Sequence, residues 1–283
     1  MTALDPGLAA ALDELAGRRP VLVATDYDGV LARLRDDPSA AVPEPGTAPL
    51  LARLAAARDV TVALVSGRGV ADLRRTSGLS GPYRWIGSHG AEFDGPLPDE
   101  LRAARDELVS ALAPLVEAVP GARLEVKPVA VAVHVRTVPD PAAGRALLER
   151  AAAAAGPHST AKPGKDVLEL AVTDADKGSA LLRLRDEVGA AAAVYLGDDV
   201  TDEDGFAAIA PAGVSVKVGD GETAARYRVP DLDAVRDVLS RVADRTSVSP
   251  CINHGRFTLA ATDAANGEAR GDADGREIGG SAL

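Results

Sequence analysis

Apolar positions along the chain follow two rhythms. Over residues 3–17, Leu4, Leu8, Ala11, Leu12 and Leu15 recur at helical spacing, and the stripe stops at Gly17. Pro20-Val-Leu-Val-Ala24 is instead a short unbroken run rich in β-branched residues behind a polar turn, which predicts a strand buried on both faces. Val60–Val65, residues 191–196 and Val214–Val218 repeat that signature. Between the runs, Leu50, Leu51 and Leu54 predict a helix after the loop at Pro43, Pro45 and Gly46. Residues 70–76 and 177–185 predict two more, and Leu232, Val235, Val238 and Leu239 mark the apolar side of a terminal helix over residues 231–242. Strands alternating with helices imply βαβ units and a parallel sheet, hence an α/β fold.

The rhythm changes in the middle of the chain. Pro96 and Pro98 precede a helix predicted over residues 99–119. Two runs then alternate apolar and polar residues, 123–127 and 129–136, as antiparallel strands with one buried face do. A helix over 142–155 and extended segments around 159–162 and 166–173 complete an α+β module. The expected organisation is a core made of residues 1–91 and 173–245, with residues 92–172 inserted as a second domain. From Thr246 the periodicity fades, and residues 263–283 hold almost nothing to bury, so 246–283 is expected to be a disordered tail.

Composition narrows the partners. Aromatics are only 3% of the chain, so Ala, Leu and Val must fill the core. A net charge of −11 argues against nucleic acid or an anionic membrane surface as partner. It leaves open a small anionic substrate, because a local cluster of cations can reverse the field inside a cleft. The single cysteine, Cys251, excludes an internal disulfide and fits a reducing compartment. With no leader-like N-terminal run and no apolar segment of membrane length, a cytoplasmic monomer is expected.

Four predicted strand ends carry polar groups: Asp26 and Asp28, Ser66-Gly67-Arg68, Ser88-His89-Gly90, and Asp198-Asp199. In an open α/β sheet the carboxyl ends of strands face the ligand. Asp26 and Asp28 are two residues apart in extended chain, so their carboxylates point to one side and repel unless a cation or proton intervenes. Gly29 lets the chain turn directly afterwards. An Asx turn explains this stretch equally well by itself. Gly197-Asp-Asp-Val-Thr-Asp-Glu-Asp204 concentrates five acids. Asp202 as a helix cap, with Glu203 and Asp204 against the helix dipole, accounts for the later ones. It does not account for Asp198 and Asp199 at the end of a buried strand, where uncompensated charge is expensive. A divalent cation shared with Asp26 and the Asp28 carbonyl would resolve that expense, and few, hard oxygen ligands point to Mg2+. Neither acidic run has the glycine and glutamate of a calcium loop, and the chain has no P-loop and no dinucleotide fingerprint. Lys177 opens a helix, where a cation is mildly unfavourable unless it has an anion to meet.

Asp26-Tyr-Asp-Gly-Val-Leu31, Ser66-Gly-Arg68, Asp176-Lys-Gly178 and Gly197-Asp-Asp-Val-Thr-Asp-Glu-Asp-Gly-Phe206 resemble, in order and spacing, the four motifs of the haloacid dehalogenase superfamily. The last of these, with Ser88-His-Gly-Ala-Glu92 and Gly164-Lys-Asp-Val-Leu-Glu-Leu170, is similar to the trehalose-6-phosphate phosphatase family over about residues 20–240. Val30 and Arg33 depart from the commonest residues of that family, Thr and Pro. The resemblance implies a Rossmann-like core with a mobile α+β cap, and a Mg2+-dependent phosphomonoesterase working through an aspartyl-phosphate. It implies Asp26 as nucleophile and Asp28 as acid and base. Ser66 and Lys177 would hold the phosphoryl group with Gly67 and Arg68, and Asp198 would bind the metal with Asp199 and Asp202 outside it. Glu125, Lys127 and Glu169 would grip the distal glucose, with Arg136 and His89 as further sugar contacts. The alternatives are a capped phosphatase for sucrose phosphate or mannosylglycerate phosphate, or a silent sugar-phosphate-binding regulator. An exposed strand face with a cross-strand ion pair is the structural alternative for Glu125 and Lys127.

Overall fold

A computed structural model describes residues 4–156, 159–210 and 213–247. The chain begins with α1 (Pro6–Gly17), capped by the Asp5 carboxylate on the Leu8 N–H, and continues through β1 (Val21–Thr25), α2 (Thr47–Ala55), β2 (Val60–Val65), α3 (Val70–Ser77), β3 (Arg84–Gly87) and β4 (Glu92–Phe93). A middle section comes next: α4 (Asp99–Glu117), β5 (Arg123–Val126), β6 (Ala130–His134), α5 (Pro141–Ala154), β7 (Thr160–Gly164) and β8 (Val167–Ala171). The chain then forms α6 (Lys177–Glu187), β9 (Ala192–Gly197), α7 (Glu203–Ile209), β10 (Val214–Val218), β11 (Tyr227–Val229) and α8 (Leu232–Ser247).

The large sheet runs β11-β10-β9-β1-β2-β3-β4, parallel except for the last pair. β1 is central, with Val23 between Val62 and Val194. Its alternate residues feed two cores, which is why the sequence shows an unbroken apolar run. Val21 and Val23 pack with residues of α1, α2, α3 and α8, and Leu22 and Ala24 with residues of α6 and α7. The smaller sheet, β5-β6-β8-β7, is antiparallel throughout. Val131, Val133, Leu168 and Leu170 form its own core with Leu108, Leu112 and Leu147 from α4 and α5. The opposite face carries Glu125, Lys127, His134 and Glu169, as period-two alternation requires. This section joins the large sheet through residues 94–98 and 172–176.

The structure departs from the sequence reading at three points. β4 and β11 are two and three residues long, below what periodicity resolves. The terminal helix does not end near residue 242 but runs to Ser247, because Ala243 and Thr246 extend its buried stripe. Thr246 is buried, and its hydroxyl bonds back to the Val242 carbonyl at 2.8 Å, so the expected tail cannot begin there. The remainder of that expected tail, and Cys251, lie outside the described residues. Among the described residues, no helix is long and apolar enough to cross a membrane.

Candidate active site

The carboxyl ends of β1, β2, β3 and β9 lie along one edge of the large sheet, and the polar groups predicted at strand ends gather there. A cleft of about 620 Å³ at this edge is lined by Asp26, Asp28, Ser66, Gly67, Arg68, His89, Lys177, Asp198 and Asp199, with Leu34, Arg35, Pro38, Asp72 and Thr201 around them.

Asp26 continues the β1 ladder, its N–H bonding the Leu196 carbonyl at 2.8 Å. One carboxylate oxygen accepts from its neighbour's N–H, that of Tyr27, at 2.6 Å, and the other from Lys177 Nζ at 2.9 Å. Lys177 is the first residue of α6, whose N-terminus is closed by a reciprocal Asp176–Ser179 capping box. Its ammonium also reaches Asp202 Oδ1 at 2.8 Å, so one buried cation bridges two buried carboxylates. Burial pushes the Asp26 carboxyl up, against the pull of Lys177. Burial works to lower Lys177, yet Asp26 and Asp202 together hold it above the usual ammonium value. The first-turn cation, unfavourable on the dipole argument alone, therefore has two anions to meet.

The sequence reading offers Asp202 two parts, a helix cap and a place outside the metal's direct ligands, and the structure differs on the first. Its side chain makes no cap bond to α7. It turns inward, where Oδ2 accepts from the N–H groups of Asp198 and Asp199 at 2.9 and 3.0 Å and Oδ1 from Lys177 and the Tyr195 hydroxyl. All four lone-pair positions are then taken, so Asp202 shapes the loop and balances Lys177. Asp199, grouped with the metal in the sequence reading, is exposed and caps the turn at Val200 through its own carboxylate, at 2.6 Å. Gly29, at φ +74°, lies so close to Asp198 that a Cβ there would stand 1.9 Å from Asp198 Oδ2. Only glycine satisfies both that conformation and that contact.

The carboxylates of Asp26, Asp198 and Asp202 each place an oxygen within 4.8 Å of the others, although those of Asp202 are already engaged. Asp198 is the informative member: half-buried, with no donor to its carboxylate among the described residues, and raised to about 6 by burial and by Asp202. An unbonded, partly desolvated carboxylate beside two others is a hard-oxygen donor set suited to a divalent cation. Lys217, buried at the end of β10, donates its ammonium to the Asp198 carbonyl. The sequence reading does not include Lys217, although a lysine interrupting the strand Val214-Ser-Val-Lys-Val218 is the available signal.

Asp28 sits apart from that cluster. Arg68 grips it through two nitrogens at 2.7 Å each. Ser66 is buried, and its hydroxyl oxygen accepts the Arg68 N–H at 3.1 Å. Its own hydrogen has no acceptor among the described residues and remains available to an anion in the cleft. His89 has φ +56° and lies against Gly67, where a Cβ would fall 2.6 Å from the imidazole. Burial lowers the His89 pKa and Lys177 adds to this, while the charges of Glu169 and Lys127 on the smaller sheet also act on the ring. Glu92, whose part the sequence does not specify, is buried between the Ser88 hydroxyl at 2.7 Å and the Val70 N–H at 2.7 Å, pinning β3 to the start of α3.

On the smaller sheet, Lys127 and Glu169 form an ion pair, and Glu125 is hydrogen-bonded to His134 at 2.7 Å, which lowers its pKa. The cross-strand pairing expected as the structural alternative is present. His134 is missing from the sequence reading, because its partner lies diagonally across a register that the sequence does not display. Arg136 lies beyond the other end of β6 from Lys127, about 20 Å along the strand direction. It is exposed and, like Glu125, Lys127 and Glu169, is not part of the cleft lining.

A buried aspartate at the end of the central strand, bridged by a helix-opening lysine to a second aspartate, on a parallel sheet interrupted by an α+β section, defines a phosphatase-type fold of the haloacid dehalogenase class. The sequence profile of the trehalose-phosphatase family matches residues 24–233, and the chain belongs to that family. It is 36% identical over 265 residues to the trehalose-phosphate phosphatase of Mycobacterium avium, covering 84% of this chain and 66% of that protein. The corresponding protein of Mycobacterium ulcerans is 34% identical over 257 residues, at 83% and 64%. The chain thus spans slightly less than two thirds of the length of these curated relatives. Among solved structures, a trehalose-6-phosphate phosphatase of Aspergillus fumigatus superposes with a TM-score of 0.70 at 28% identity, over 86% of this chain and 98% of that one.

Proposed function

We propose that the protein hydrolyses trehalose 6-phosphate to trehalose and inorganic phosphate. The observation that carries this reading is the buried Asp26–Lys177–Asp202 arrangement beside an Asp198 carboxylate without a donor, in a chain of the trehalose-phosphatase family. An Asp26 oxygen attacks phosphorus as the bond to the sugar oxygen breaks, leaving an aspartyl-phosphate. Asp28 gives a proton to the departing sugar oxygen, then takes one from the water that hydrolyses the acyl phosphate, so its proton is restored each cycle. Lys177, the Ser66 hydroxyl and the backbone at Gly67 hold the phosphoryl oxygens, where positioning and charge neutralisation supply most of the acceleration. Mg2+, held by Asp26, Asp198 and the Asp28 carbonyl, would supply positive charge to the same group. Asp202 and Asp199 belong outside the metal's direct ligands. The same reading takes the protein as a cytoplasmic monomer, consistent with its net charge of −11.

Phosphate release from a panel of sugar phosphates, with Mg2+, tests the substrate. Trehalose 6-phosphate is expected to be turned over well ahead of glucose 6-phosphate and sucrose phosphate, and equal use of all three would defeat the assignment. Dialysis against EDTA is expected to stop turnover and added Mg2+ to restore it. Full activity after exhaustive chelation would remove the metal from the scheme.

Residues 92–172 act in this reading as a cap that reads the second glucose through Lys127, Glu169 and Glu125, with His89 between the two parts. The Lys127–Glu169 pair must then exchange its mutual bond for sugar hydroxyls. A polar partner left unpaired once the cap has closed over it costs about 1–3 kcal/mol, or roughly 5–150-fold in rate. Lys127→Ala is expected to lower kcat/KM for trehalose 6-phosphate by that factor and for p-nitrophenyl phosphate far less. Equal losses on the two substrates would return Lys127 to a purely structural part.

A further inference from the structure

Arg68 stands in the Ser-Gly-Arg stretch at the end of β2, where a substrate-binding guanidinium is expected. Its bonds commit it elsewhere. Nε meets Asp28 Oδ2 and Nη2 meets Asp28 Oδ1, both at 2.7 Å, in the two-pronged geometry that fits a guanidinium to a carboxylate. Nη1 reaches Asp72 Oδ2 at 3.1 Å and Nη2 also the Pro38 carbonyl at 2.8 Å. A guanidinium has five N–H donors, and these contacts engage four. One donor is left for an anion in the cleft, too few for the bidentate grip that makes arginine a strong phosphate ligand.

The same bonds explain where Asp28 points. In a continuous strand, the carboxylates of Asp26 and Asp28 would share a side. Here Asp28 is held away from the Asp26, Asp198 and Asp202 cluster, with its two oxygens fixed in one plane by the fork. Each oxygen keeps a further lone-pair position beyond the one Arg68 uses. The carboxylate is oriented yet still able to handle a proton. Arg68 itself is anchored on three sides, with its side chain 11% exposed, so it offers a rigid support.

We propose that Arg68 is a positioning residue for Asp28, fixing the direction of that carboxylate, and is not a ligand of the substrate phosphate. This rests on the phosphatase reading above, in which Asp28 relays the proton. A group that acts only through Asp28 has a distinctive kinetic signature. Arg68→Ala is expected to lower kcat about 10–100-fold, less than the roughly 10²–10⁴-fold of losing the acid–base group itself, with KM changed less than about twofold. In the Asp28→Asn background the same substitution is expected to cause no further loss, because its target is gone. Arg68→Lys keeps the charge without the fork and is expected to recover little. Guanidinium added to Arg68→Ala should restore part of kcat, and should do nothing for the double variant.

The cycle is run on p-nitrophenyl phosphate with Mg2+, so that it does not depend on which sugar phosphate is the substrate. Inorganic phosphate binding by calorimetry supplies a readout without turnover, in which Arg68→Ala should bind as the wild type does. A rise in KM with kcat kept, a double variant losing the product of the two single losses, or a tenfold loss of phosphate affinity would each make Arg68 a phosphate ligand and overturn the proposal. A wild type that binds phosphate normally but hydrolyses no phosphomonoester would instead sink the phosphatase reading.

Discussion

Asp26→Asn is expected to abolish phosphate release, a loss on the order of 10⁴-fold or more, because an amide cannot form an acyl phosphate. The substitution matches the native side chain in shape: Oδ1 can keep the Tyr27 N–H, while the amide nitrogen, a donor, replaces the oxygen that accepted from Lys177. It also removes a carboxylate that burial already disfavours in its charged form. Lys177 keeps Asp202 as a full counter-charge at 2.8 Å. The folded state should therefore survive, and the melting temperature should stay close to that of the wild type. This separates lost chemistry from lost structure. Phosphate release and trapping of a phosphorylated protein are the two measurements. A variant that keeps more than a few per cent of turnover, or still traps phosphate on the chain, would exclude Asp26 as the attacking group.

Much of this arrangement is legible in local pattern. A buried parallel strand announces itself as an unbroken apolar run, and the residues just after the run must lie at the sheet's edge. Asp26, Ser66 and Asp198 are locatable for that reason from sequence alone. The alternation at 123–136 likewise shows which residues share the outer face of the smaller sheet. Local pattern cannot show which side chains meet across the fold. Lys177 and Asp26 are 151 positions apart, and nothing in either neighbourhood names the other. Asp202 misleads because a helix-capping aspartate and an inward-turned one have the same sequence context. The choice between them is made by Tyr195, seven residues earlier on β9, whose hydroxyl needs a buried acceptor. Arg68 shows the same limit: the Ser-Gly-Arg stretch suggests a cation for an anionic ligand, and only the fold shows its bonds to Asp28, Asp72 and the Pro38 carbonyl. Glu125 and His134 show the same limit in a sheet, since their contact depends on register.

Lys177→Met is expected to damage both stability and activity, and the two losses have separate causes. The native ammonium is 2% exposed and lies between Asp26, 6% exposed, and Asp202, fully buried. Methionine fills a similar volume but leaves two desolvated carboxylates facing each other without a cation. Removing one partner of a buried ion pair costs about 3–5 kcal/mol, chiefly from the charge left behind. For a domain of this size that corresponds to roughly 6–20 °C in Tm. Asp202→Asn in the same chain removes one stranded charge while an amide oxygen can still accept from the Asp198 and Asp199 N–H groups. The double variant is therefore expected to recover part of the lost stability. It is not expected to recover activity, because the cation that meets the phosphoryl group is still missing; one such electrostatic contact is worth about 10²–10³-fold in kcat. Thermal unfolding of the single and double variants, with and without Mg2+, and phosphate release on the same samples give the comparison. A Tm within about 2 °C of wild type for Lys177→Met would contradict the buried bridge. Stability lost with turnover intact would leave Lys177 a structural part only, and the role given to it in phosphoryl transfer would fall.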